Sequence, residues 1–168
     1  RMRIDEEGRL LLGTTTEGAV AADDLTIATS AHTGLTIRSG TSSNGSLFFS
    51  DATSGASEYS GYVQYVHSDN SLKFGTNTSE RMLIDSAGRL LLGTTTQGDV
   101  AADNLTIADS GHCGITIRSG SSNNGGIFFA DGTGGNALYE GTIQYDHNNN
   151  ELYFRTAALI ALTLNSSQ

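Results

Sequence analysis

Short apolar runs separated by Gly, Ser, Thr, Asn and Asp recur along the whole chain, with the spacing of strands. Met2 and Ile4 alternate with Arg1, Arg3 and Asp5, which predicts a short strand with one apolar face. Glu6-Glu7-Gly8 is a turn. Leu10-Leu11-Leu12 then places apolar side chains on both faces of a single strand. One small module lacks the material to cover both faces, so neighbouring chains are expected to do it. Leu25-Thr26-Ile27 is β-type, and Leu35-Thr36-Ile37-Arg38 alternates cleanly as a strand. Asn44-Gly45 predicts a tight turn, since both residues tolerate positive φ. Leu47-Phe48-Phe49, Tyr62-Val63-Gln64-Tyr65 and Leu72-Lys73-Phe74 follow as strands, with a loop at 51–57 and a turn at 68–70 between them. Residues 17–24 alone have helix character here, and they are too few for an independent helix. They are expected to form a loop or a single turn.

This pattern is written twice. Arg81-Met82-Leu83-Ile84-Asp85 through Arg89-Leu90-Leu91-Leu92-Gly93-Thr94-Thr95-Thr96 nearly copies the first sixteen residues, and 47 of the 80 pairs between 1–80 and 81–160 are identical. A fixed period of this length indicates tandem units. The expected organisation is a β-repeat module at 1–80, a second at 81–160, and a third truncated copy or cap at 161–168. The fold class expected is all-β, with roughly seven short strands per module. A chain starting at Arg1, with a copy cut off after its first turn, reads as part of a longer array or as a processed chain.

Composition narrows the function. Only 37% of residues are hydrophobic, Gly numbers 21, and Pro is absent, which suits an extended β protein better than an enzyme with a large core. The net charge of −9, with no basic run, argues against nucleic acid and anionic membrane surfaces as partners. No apolar run approaches about 20 residues, so membrane insertion is not expected. Cys113, alone in the chain, cannot form an internal disulfide and is expected to be a small buried apolar residue.

Two stretches carry a family resemblance. They are Gly61-Tyr62-Val63-Gln64-Tyr65-Val66-His67-Ser68-Asp69-Asn70-Ser71-Leu72-Lys73-Phe74-Gly75-Thr76-Asn77 and Ser79-Glu80-Arg81-Met82-Leu83-Ile84-Asp85 through Gly93-Thr94. They resemble the repeats of bacteriophage tail-fibre proteins, especially those of marine phages. The block around Asn44, Phe48, Phe49 and Asp51 is similar to another part of that family. Leu83 departs from its usual Arg, which Arg3 keeps, and Ala161-Leu162 departs from Arg-Met. The resemblance implies an elongated, fibrous, intertwined parallel homotrimer located in the virion and extracellular. It also implies contact with other tail proteins and a distal role in binding a host cell-surface glycan or protein.

Candidate chemistry is sparse. His32 and His112 recur, as do His67 and His147, which points to a structural role rather than a metal site. Asp51 and Asp131 lack the ligand spacing of a calcium loop and read as turn caps. Asp23-Asp24 becomes Asp103-Asn104, which argues against paired acid/base work. Glu58, Asp69 and Glu140 do not repeat as a carboxylate pair, so a glycan hydrolase is the weaker reading. We therefore expect no enzyme activity, no catalytic residues, no metal and no cofactor. Tyr59, Tyr62, Tyr139 and Tyr153 are the candidate receptor contacts, since tyrosine joins an apolar face to a polar tip. The expected function is a structural and adhesive segment of a phage tail fibre. The alternatives are a bacterial extracellular filament or adhesin segment and, further off, a fibre-borne hydrolase.

Overall fold

A computed structural model describes residues 1–167, and Gln168 lies outside the described residues. The chain is nearly all-β: thirteen strands and two four-residue 3₁₀ turns among the described residues. It divides into two compact units, Arg1–Ser110 and Gly111–Gln168.

The first unit holds two sheets. β1 (Met2–Ile4), β2 (Leu10–Leu12) and β3 (Leu25–Ile27) form a three-stranded sheet. β4 (Asn44–Phe49), β5 (Gly61–Val66), β6 (Ser71–Thr76), β7 (Ser79–Ile84), β8 (Leu90–Leu92) and β9 (Leu105–Ile107) form a six-stranded sheet in chain order. The second unit holds β10 (Asn124–Phe129), β11 (Gly141–Asp146), β12 (Glu151–Thr156) and β13 (Leu159–Leu164). Neighbouring strands are antiparallel except β2–β3 and β8–β9, which are parallel. A parallel pair needs a crossover of about a dozen residues, and residues 13–24 and 93–104 supply it. They include the stretches with local helix character, 17–24 and 97–104, which form turns and loop.

Strands recur 80 residues apart, β4 with β10 and β7 with β13 among them. The six-stranded sheet runs without a break through residues 80 and 81. The period is thus a spacing along the chain, and sheets start and stop in a different phase from it.

Turn chemistry explains the local register. Asp5 organises the β1–β2 turn: its Oδ1 accepts from the Glu7 and Arg9 amides at 3.1 and 2.9 Å. Gly8 closes the turn at φ +85°, where a side chain would strain the backbone. The β6–β7 hairpin turns on Asn77-Thr78 and the β12–β13 hairpin on Ala157-Ala158, all four at positive φ. A register shift precedes each turn, at Phe74/Gly75 and Phe154/Arg155.

Three expectations are corrected here. Asn44-Gly45 and Asn124-Gly125 open strands β4 and β10 and are not turns; the turns lie just before, closed by Ser43 and Asn123 amides donating to Gly40 and Gly120 carbonyls. Ile37 passes close to Gly45: a Cβ there would sit 3.6 Å from Ile37 Cγ2, an ordinary contact distance. Residues 35–38 and 115–118 are not strands of any sheet, although their pattern alternates. Each period therefore contributes six strands. Cys113 is exposed, because it lies in the irregular stretch leading to this unpaired segment.

The leucine triplets are corrected in part. Leu11 and Leu91 are 1% exposed and, with Leu83, are the buried apolar side chains among the described residues. Register puts Leu11 beside Thr26 and Leu91 beside Thr106. The crossover returns over these threonines, whose Oγ1 atoms accept from the Gly18 and Gly98 amides at 2.9 Å. The chain's own crossover covers the middle leucine. Leu10, Leu12, Leu90 and Leu92 point the other way and stay half-exposed.

Candidate functional site

Strand alternation sorts the six-stranded sheet into two unlike faces. One carries Leu47 and Phe49, Val63 and Tyr65, Leu72 and Phe74, Met82 and Ile84, Leu90 and Leu92, then Leu105 and Ile107, all aligned by the strand register. It is apolar from edge to edge. The opposite face is mixed, with Ser46, Gln64 and Lys73 in line ahead of Leu83 and Leu91. The four-stranded sheet divides likewise: Ile127, Ile143, Leu152, Phe154, Leu162 and Leu164 on one face, and Gln144, Tyr153 and Arg155 on the other.

The apolar faces are poorly covered. Phe49 is 59% exposed and Phe129 57%, and Met2 and Ile4 on β1 stand open as well. The unpaired segments offer partial cover. Leu35 and Ile37 line an open cleft with Leu47, Val63, Tyr65 and Leu72, and Ile115 and Ile117 do the same with Ile127, Ile143, Tyr145 and Leu152. His67 and His147 close the ends of these clefts, each ring edge-on to Tyr65 or Tyr145 at 4.9 Å. The recurrence of this histidine pair is thus matched by one repeated packing contact. His32 and His112 sit in exposed loops.

The sequence candidates lie elsewhere. Tyr59, on the 3₁₀ turn Ala56–Tyr59, is exposed and packs at 6.3 Å from Phe48. Phe48, Tyr59, Tyr62, Gln64 and Thr78 line one shallow cleft on the mixed face. Tyr62 lies flat on Gly75, where a Cβ would come within 2.1 Å of the ring. In the other unit Tyr139 donates to Asn136 Oδ1, and Tyr153 donates to the Glu151 carboxylate with Arg155 over its ring. That hydrogen bond to Glu151 holds the Tyr153 proton and raises its pKa above the ordinary 10.0. Thr142 replaces Tyr62, so the second period has no equal of the three-ring cleft.

Of the acidic candidates, Asp51 has a structural duty. Asp51 accepts from Ser60 Oγ at 2.9 Å and closes its loop by donating its amide to the Ser57 carbonyl. Glu58 precedes β5 and Asp69 follows it, so about 17 Å of strand separates their attachment points. That exceeds the roughly 9.5 Å span of a glycosidase pair. Glu140, in the other unit, accepts the Ala158 amide through its backbone carbonyl. Among the described residues no three His, Cys, Asp or Glu side chains gather as metal ligands would, and no helix is long and apolar enough to cross a membrane.

One cluster escaped sequence reasoning. Arg89 pairs with Asp85 at 2.7 Å and with Asp103 at 3.0 Å, and Arg9 does the same with Asp5 and Asp23. The guanidinium ties the β7–β8 turn to the far end of the crossover, fixing the lid over Leu91. This explains why Asp23 persists as Asp103 while Asp24 relaxes to Asn104. The signal was available: all three charged positions are identical in both periods. Hydrogen bonds from the Arg89 side chain and amide hold the Asp85 carboxyl below its ordinary 3.8. At Asp5, burial pushes upward, but Arg9 hydrogen bonds outweigh it and the net direction is again down.

Comparing the two periods separates the faces further. Apolar-face pairs stay apolar: Leu47 with Ile127, Val63 with Ile143, Phe74 with Phe154. Mixed-face pairs change kind: Tyr62 with Thr142, Val66 with Asp146, Lys73 with Tyr153, Gly75 with Arg155. The chain matches no protein-family model and no curated protein sequence.

Proposed function

We propose that this chain is a structural segment of a fibre made from identical copies, a parallel homotrimer of the phage tail-fibre kind. Its apolar faces form the shared interior. Its mixed faces and loops point outward, where they would meet a host-surface glycan or protein.

The surface area carries the reading. The chain exposes 12167 Å². A compact monomer of its mass exposes about 7,900 Å², and two separately compact bodies matching its two units about 9,400 Å². The excess is thus at least about 2,700 Å² per chain, against roughly 800 Å² per partner in a standard interface. Much of it is apolar and aligned on one side of each sheet. A surface of that kind is retained where copies bury it. The number three and the tail-fibre context rest on the sequence resemblance, and the location in the virion follows from it. No catalytic role is part of the proposal.

Native mass spectrometry and light scattering test it. Three chains per particle, stable on dilution to micromolar concentration, is the expected result. A stable monomer at that concentration overturns the proposal.

A further inference from the structure

We infer that residues 35–38 and 115–118 are strands completed by a neighbouring copy of this chain, each adding to a sheet between subunits. The inference rests on the self-assembly proposed above and specifies which backbone does the joining.

Four observations converge. Leu35-Thr36-Ile37-Arg38 and Ile115-Thr116-Ile117-Arg118 have the period-two pattern of a strand. Neither pairs with any strand among the described residues. Their backbone amides and carbonyls take part in none of the turn, loop or ladder hydrogen bonds of the described residues. Finally, Ile37 and Ile117 lie beside Gly45 and Gly125 and line clefts over the apolar faces.

Backbone groups that leave water must find partners. Burying the apolar faces in an assembly takes these segments out of water, because they lie across those faces. Among the described residues they have no backbone partner, so the partner comes from outside. The occupant is a second copy for two reasons. The excess exposed area is several times what a stable contact needs. The arrangement also occurs twice at the same phase of the period, as a regular assembly requires. Pairing by strand addition uses main-chain bonds for strength, and alternate side chains, here Leu35 and Ile37 in their cleft, for register.

Hydrogen exchange of the intact chain, followed by mass spectrometry of peptides spanning 34–39 and 114–119, decides it. In the assembled protein these amides should exchange on the order of 100-fold more slowly than those of the exposed loop at 52–55. After dissociation by mild denaturant the protection should vanish while that of β5 and β6 persists. An assembly in which both segments exchange as fast as the loop overturns the inference and leaves the proposed function standing. A chain that stays monomeric overturns both.

Discussion

Truncating Leu91 to alanine tests the central packing relation, because Leu91 and Leu90 differ by one residue and face opposite sides. Leu91 is 1% exposed beneath the crossover that returns over Thr106. Removing three carbons from full burial costs about 2.4 kcal/mol in transfer alone. A cavity that the rigid lid cannot fill raises the loss to about 3–4 kcal/mol. For a unit of this size that lowers Tm by roughly 10–15 °C. Leu90→Ala removes the same atoms from a half-exposed site on the apolar face. It should cost under about 1.5 kcal/mol in the dissociated chain, yet weaken self-association. Urea unfolding at several protein concentrations separates these effects, since only the association term depends on concentration. Equal losses from both variants, or a loss below about 1 kcal/mol for Leu91→Ala, would refute the assignment of Leu91 to an intrachain core.

Two further predictions concern turns. Asp85 and Asp5 hold folded-state pKa values below 3.8, so the folded chain takes up these protons less readily than the unfolded one. Their contribution is whole above about pH 4 and drains away as pH falls through the lower folded values. An Asp85→Asn/Asp5→Asn double variant should therefore show a shallower acid limb in Tm measured from about pH 6 to 2, and an unchanged slope would contradict the pairing. In the second hairpin, Ala157 and Ala158 sit at φ 49° and 58°, where alanine carries a left-handed penalty. Replacing them with Asn-Gly should stabilise the second unit by about 1–2 kcal/mol in urea unfolding, and a loss of stability would show that the turn is not of the type described.

The all-β character, most strand positions and the Gly8 turn were legible in the chain because each depends on neighbours in sequence. Four features were not. Asn44-Gly45 carries the strongest local turn signal, yet non-local pairing decides its state: the two residues sit opposite Val66 and Tyr65 at the start of β4. Residues 35–38 have strand character, but pairing is non-local and no local pattern specifies a partner. The triplet was read as needing other chains on both faces, but the lid over Leu91 is a polar-looking loop whose anchor is the Arg89–Asp103 pair, 14 residues apart. Of the tyrosines, Tyr59 and Tyr62 converge with Phe48, a meeting made by the β4–β5 register and invisible along the chain.

The repeat makes the molecule its own comparison, and the comparison bears on where recognition would reside. Positions facing the apolar side changed between periods only from one apolar residue to another. On the mixed side, changes are large and compensate each other. Tyr62 lies across Gly75, where a side chain would collide with the ring. At the matching pair, Thr142 is small and Arg155 is long, and the Arg155 guanidinium crosses to Gln144 at 2.8 Å. Bulk moved from one strand to its neighbour and the surface stayed filled. A side under a constant packing demand cannot drift in this way, whereas a side facing solvent or a variable ligand can. In the proposed assembly one face would be constrained in both periods alike. The other face is free to differ, and the three-ring cleft of the first period shows how far apart the two have moved.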